Sequence, residues 1–221
     1  MPAPKKRSAP KKSATPKKKR VAPPSRQPAK NALVYQFKVT LLDVRPPIWR
    51  RILVPVGTLD DLHGAIQNAM GWTNSHLHQF DVDGRRYGDP EMLDDGFGDA
   101  DFADSRKMTL SKLFGGARPP SKILYEYDFG DGWTHHIEFE GTQPAETGQK
   151  LPSCVAGKRS CPPEDIGGPW GYANFLEAIH DPQHEDHEMF VEWVGDDFDA
   201  EAFDLAEINK AMREGLPNWR D

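Results

Sequence analysis

Residues 123–140 read ILYEYDFGDGWTHHIEFE, and they alternate apolar and polar side chains on both sides of a Gly-Asp-Gly step. Ile123, Tyr125, Tyr127 and Phe129 recur with period two before the step, and Trp133, His135, Ile137 and Phe139 recur with the same period after it. Glycines at 130 and 132 give the backbone access to positive φ, as a tight connection between antiparallel strands requires. The segment is therefore expected to be a β-hairpin closed by Gly130-Asp131-Gly132. Counting outward from that turn pairs Phe129 with Trp133, Tyr127 with His135, Tyr125 with Ile137 and Ile123 with Phe139. All eight then share one face, while Thr134, His136, Glu138 and Glu140 face solvent. A phosphate-binding loop would need a helix after its glycines, and here a strand follows. His135 is thus placed among aromatic rings, where an imidazole needs a hydrogen-bond partner or a metal.

Other stretches carry equally local signals. Tyr35, Phe37, Val39 and Leu41 alternate as a half-buried strand, Arg45-Pro46-Pro47 interrupts it, and a second strand is expected over Ile48 to Val54. In TLDDLHGAIQNAMGW, Thr58 is placed to cap a helix with Asp61 three residues on. Leu59, Leu62, Ile66 and Met70 recur at helical spacing, and Gly71 sits at the C-terminal left-handed position. HLHQFDVDGRRYG reads as a strand entering a turn at Asp83-Gly84, and residues 89–107 read as a long acidic loop. After residue 140 helical periods dominate: one run over Trp170 to His180, one opened by Asp181-Pro182 and carrying Met189, Phe190, Trp193 and Val194, and one starting at Asp204. Strands early and helices late predict an α+β fold, with a mostly antiparallel sheet and helices packed on one side.

Charge divides the chain in two. Residues 1–30 hold 11 of the 28 basic residues and none of the 34 acidic ones. Residues 31–221 therefore carry 17 bases against 34 acids, a formal charge of −17. The first segment is Lys, Pro, Ala and Ser with few apolar side chains, too few to offset the entropy of ordering it, so a disordered basic tail is expected ahead of a single domain spanning 31–221. Its PKKR and PKKKR blocks make Lys17, Lys18, Lys19 and Arg20 the candidates for nucleic-acid contact, against the plainer readings of a solubilising extension or a tail lying on its own acidic body. No secretory apolar core and no run near the ~20 residues of a membrane helix is present, so no membrane partner is expected. A cytoplasmic location, with nucleoid association through the tail, follows as the expectation. Cys154 and Cys161 are expected as thiols or metal ligands rather than a disulfide.

Several side chains are candidates for chemistry. His76, His78 and Phe80 share a strand face by the two-residue period, and with His135 they direct three histidines toward the core. Tyr127, Asp128 and Asp131 are their candidate partners. The plain reading is a set of polar contacts inside the core; the sharper one is a site. Cys154 and Cys161 have six residues between them, wider than common zinc knuckles, but they could close a four-ligand site with His184 and His187. HEDHE spaces its histidines three apart, not the four of the metalloprotease helix. Gly167-Gly168 precedes a helix without the Lys-Ser/Thr of a phosphate-binding loop.

Six blocks taken together, RPPIWRRILVP, LDDLHGAIQNAMGW, HLHQF, YEYDFGDGWTHHI, CPPEDIGGPWGY and DPQHEDHEMFVEW, occur in order over nearly all of residues 33–212. In this the chain resembles the plasmid pRiA4b ORF-3-like family. The resemblance implies bacterial or archaeal proteins of uncharacterised function, often plasmid-borne or near mobile elements, some bearing a transposon-resolvase label. Serine-recombinase chemistry needs a nucleophilic serine among several arginines, whereas the serines here fall in loops of a body whose charge repels DNA. Two functional readings result. The first is a non-enzymatic binding or adaptor module, its acidic body meeting a protein or small-molecule partner and its tail contacting nucleic acid. The second is a metal-assisted hydrolase or nuclease drawing on His76, His78, His135, Cys154, Cys161, His184 and His187, flanked by the acidic loop from Asp94 to Asp104. No cofactor is predicted under the first, and zinc or another divalent metal is the candidate under the second.

Overall fold

The computed structural model describes residues 33–89, 102–195 and 198–216. The basic segment 1–30, with Lys17 to Arg20, and most of the acidic loop from Asp94 lie outside the described residues. Strands β1 (Leu33–Leu41), β2 (Trp49–Pro55), β3 (His78–Val82), β4 (Arg85–Gly88), β5 (Phe102–Asp104), β6 (Ile123–Tyr127), β7 (Trp133–Pro144) and β8 (Ser153–Lys158) form one sheet. Their order is β5-β4-β3-β6-β7-β1-β2-β8. Every pairing is antiparallel except β4 with β5. The helices are α1 (Leu59–Met70), α2 (Leu110–Phe114), α3 (Gly168–His180), α4 (His187–Val194) and α5 (Leu205–Glu214). The α+β expectation holds, and the sheet continues past residue 140 through the end of β7 and β8. Among the described residues no helix is long and apolar enough to cross a membrane.

Helix α1 forms where its caps predict. The Thr58 side chain accepts from the Asp61 amide, the Asp61 carboxylate accepts from the Thr58 amide, and Gly71 ends the helix at φ 95°. Its buried flank carries Leu59, Leu62, Ile66 and Met70, and also the polar His63 and Gln67. The opposing sheet face supplies Phe37, Val39, Ile52, Phe80, Tyr125 and Ile137, all at most 2 % exposed. Helix α5 lies against α1 and β8, and α3 packs on α4 through Phe175 and Phe190, whose rings meet edge to face at 5.3 Å.

The hairpin exists with a different register. Tyr127 pairs with Trp133 and Tyr125 with His135, so the connection spans five residues, 128–132, and not three. The cause is Asp128. It adopts φ 55°, its side chain accepts from the Gly130 and Asp131 amides, and its carbonyl accepts from the Gly132 amide at 2.6 Å. That local turn ends β6 at Tyr127 and leaves Phe129 40 % exposed instead of on the inner face. A slip of two residues preserves which face each strand residue occupies, so His135 is still buried.

Two further boundaries move. Phe102–Asp104 is a short strand followed by a 3-10 turn over Ser105–Lys107, within what reads in sequence as loop. Asp181-Pro182 does not open α4: the Asp181 carboxylate accepts from the Gln183 amide in a local turn, and the helix starts at His187 after Asp186.

Candidate functional site

The polar residues of the core converge where α1 crosses β3 and β6. His63 on the helix stacks on His78, the first residue of β3, with centroids 3.5 Å apart and planes at 7°. Its Nδ1 lies 2.8 Å from the Tyr125 hydroxyl and its Nε2 lies 2.8 Å from Asn74 Oδ1. The hydrogen positions follow from the partners. The Asn74 backbone N–H donates to Gln67 Oε1, which orients Gln67 so that its Nε2 donates to the Tyr125 oxygen at 2.9 Å. The single Tyr125 O–H is then left to donate to His63 Nδ1, and the imidazole carries its proton on Nε2 and gives it to Asn74. The ring is neutral in this network, in keeping with burial that pushes its pKa down to about 4. Burial likewise drives the Tyr125 phenol well above its ordinary range.

A second polar layer lies behind the first. His135 is fully buried, with Nδ1 3.3 Å from the Tyr125 carbonyl and its ring edge-on to Trp72, and burial lowers its pKa to about 4. The Tyr127 hydroxyl donates to Glu164 at 2.5 Å and accepts from the Ser75 amide at 3.1 Å. Burial first and the Glu164 carboxylate second raise this phenol. Glu164 also receives the Thr73 hydroxyl and amide, which ties the loop before α3 to the segment before β3.

In front of the imidazole pair opens a cleft of about 930 Å³. Its lining includes Asp60, Asp61, Asp89 and Asp128 and the apolar Leu77 and Phe129, and among the described residues neither lysine nor arginine joins it. Burial raises the Asp60 carboxyl from its ordinary value. At one edge His76 Nε2 sits 3.1 Å from an Asp165 oxygen and 3.6 Å from an Asp128 oxygen. One ligand atom from each of these three residues lies within 4.8 Å of the others.

Not every sequence candidate reaches this place. His76, His78 and Asp128 line the cleft; Tyr127 and His135 stand outside its lining. His76 is not on the inner strand face, because β3 begins only at His78. Asp128, expected to alternate outward, is 8 % exposed because its left-handed backbone turns it under the loop. The Asp131 carboxylate accepts from the Gly167 amide at 3.1 Å, next to the start of α3. Cys154 and Cys161 are free thiols, Cys154 on β8 and both within electrostatic reach of buried Arg50. His184 accepts from the Asp186 amide, and His187 Nδ1 meets the Ala178 carbonyl at 2.7 Å. Among the described residues these four do not gather into one ligand group. His63, Gln67, Asn74, Glu164 and Asp165 were not sequence candidates. His63 and Gln67 had a visible signal, since they stand four apart on the flank of α1 that carries Leu59 and Ile66.

An eight-stranded, mostly antiparallel sheet with an acidic cleft beside a stacked imidazole pair defines an α+β protein with a ligand-sized concavity. The chain belongs to the plasmid pRiA4b ORF-3-like family, whose model matches residues 33–207. It is 42 % identical over 190 residues to Uncharacterized protein y4hQ of Sinorhizobium fredii (strain NBRC 101917 / NGR234), covering 85 % of this chain and 95 % of that one. It is also similar to the crystal structure of MM3350, a protein of unknown function from Methanosarcina mazei Go1. There the TM-score is 0.70 at 38 % identity, over 80 % of this chain and 98 % of that chain.

Proposed function

We propose that the protein is a non-enzymatic binding module whose acidic cleft takes a positively charged segment or amine, and whose Lys/Pro-rich N-terminal stretch contacts nucleic acid. One observation carries the first half: among the described residues, four aspartates and no lysine or arginine line a cleft of about 930 Å³, near the upper end of the volumes small ligands occupy. A cationic group entering it gains charge complementarity, while Leu77 and Phe129 offer apolar contact to the stem of a lysine or arginine. Both ring nitrogens of His63 are engaged inside the protein, so this imidazole orients the wall of the cleft and is not a ready base. The second half rests on the separation of charge, 11 bases without an acid in residues 1–30.

Two measurements test the reading. A lysine-rich peptide is titrated, in EDTA and at low and high salt, against the chain begun at Asn31 and against its Asp60→Asn and Asp89→Asn variants. Salt-sensitive binding that weakens in both variants is expected; equal affinity for the all-glutamine counterpart of the peptide refutes the cleft assignment. Nucleic-acid affinity of the full chain and of the chain begun at Asn31 is followed as salt rises. The full chain should show the steeper loss, and an affinity unchanged by removal of residues 1–30 refutes the role of that segment. Metal-dependent turnover of an ester or phosphodiester would instead favour a metal-assisted hydrolase, for which the grouping of His76, Asp128 and Asp165 is the supporting observation.

A further inference from the structure

We propose that His76, Asp128 and Asp165 form a divalent-metal site at the edge of the cleft, with Zn²⁺ the ion that its donors suit best. Three chain segments meet here: the approach to β3, the β6–β7 turn and the loop before α3. Ligands held at ~2.0–2.2 Å from one ion stand about 3.0–3.6 Å from their tetrahedral or octahedral neighbours. The observed separations from His76 Nε2 are 3.1 Å to Asp165 and 3.6 Å to Asp128.

An ordinary ion pair would look different. In a histidine–carboxylate pair the N–H points at one oxygen and makes a hydrogen bond. Here Nε2 is shielded from solvent and makes no hydrogen bond, although an oxygen lies within 3.1 Å. One ligand atom of each of the three residues lies within 4.8 Å of the other two, close enough for a single ion to join them.

The ligands are also held in place. Asp128 Oδ1 accepts from the Gly130 and Asp131 amides, which leaves Oδ2 toward His76. The His76 ring rests edge-on against Tyr127, itself fixed by Glu164 beside Asp165. Such supporting contacts orient ligands at established metal sites. Two carboxylates balance the charge of the ion, and one imidazole with two oxygens matches a borderline metal better than calcium, which takes six to eight oxygens. Three protein ligands leave a position for water or an incoming donor. His76 and Asp128 both line the cleft, so that position is reachable from it.

The test uses the full chain without a histidine tag, stripped with EDTA, dialysed, and titrated calorimetrically with ZnCl₂, MnCl₂ and CaCl₂ alongside thermal melts. One Zn²⁺ per chain and a raised Tm are expected, with affinity falling about tenfold or more in His76→Ala and in Asp165→Asn. His180→Ala, altering an exposed histidine at the end of α3, should bind as the parent does. Asp165 has 68 % of its side chain exposed, so its variant keeps the test decisive even if His76→Ala folds poorly. Absence of binding in the parent, or unchanged affinity in both variants, overturns the assignment. The peptide titration in EDTA stands or falls separately from it.

Discussion

The imidazole of His63, from a helix, lies flat on that of His78, from the sheet, with 3.5 Å between ring centroids. Charging both rings would set two imidazolium ions face to face inside a poorly polarisable core, where they repel. With His135 buried behind them, acid is the condition to which this arrangement is least suited.

Stability should therefore fall as pH drops. His63 and His135 have native pKa values of about 4, below the ordinary 6.5 that applies once the chain unfolds. Between those values the unfolded state binds protons that the native state does not, so their contribution is complete above pH 6.5 and is lost on going down toward 4. The loss is about 1.4 kcal/mol per pH unit for each group. Urea denaturation at a series of pH values measures it; a midpoint that stays level from pH 7 to pH 5 contradicts the assignment.

Tyr125→Phe should destabilise the protein by about 1–3 kcal/mol, because it strips a partner from buried Gln67 and His63 without changing the packed ring. Adding Gln67→Met to it should cost less than the sum of the two single changes, since both act on one network. Strict additivity in equilibrium unfolding would show that the hydroxyl does not join them.

Gly168 is at φ 69°, and a Cβ there would stand 2.2 Å from the Asp131 carbonyl oxygen. Gly168→Ala must push α3 away from the hairpin turn, with an expected loss above about 1 kcal/mol. Gly116→Ala, with nothing within 4 Å of the added carbon, should stay within about 0.5 kcal/mol of the parent. Matching melting curves for the two variants would refute the close approach.

Burial pushes the Cys161 thiol up to about 12 and raises Cys154 as well. Only the thiolate attacks a disulfide reagent, so both cysteines should react slowly at pH 8 in the native protein and at once in denaturant. A fast native phase would place a thiolate where none is expected.

Much of this architecture was legible because its causes are local. The Thr58–Asp61 capping box, the Gly71 stop and the alternation through β1, β6 and β7 each depend on neighbours a few residues away. The hairpin register was not legible to the same degree. Period-two patterning says which face a residue takes, and a slip of two leaves every face unchanged, so the choice fell to the Asp128 side chain closing its own turn. The polar core behind the cleft was read only in part: His78 and His135 were recognisable as inward, while His63 passed as one more residue on an apolar helix flank.

Sequence alone determined that there would be an α+β body, a sheet face rich in aromatic rings with histidines among them, and a division of charge at about residue 30. Tertiary structure alone decided that His63 would meet His78 and Tyr125, and that Asp165 would arrive beside His76 across 89 residues of chain. Periodicity records each segment's preference for burial, which is a property of that segment. Which buried polar groups become partners depends on how separate segments pack, and no local pattern encodes that.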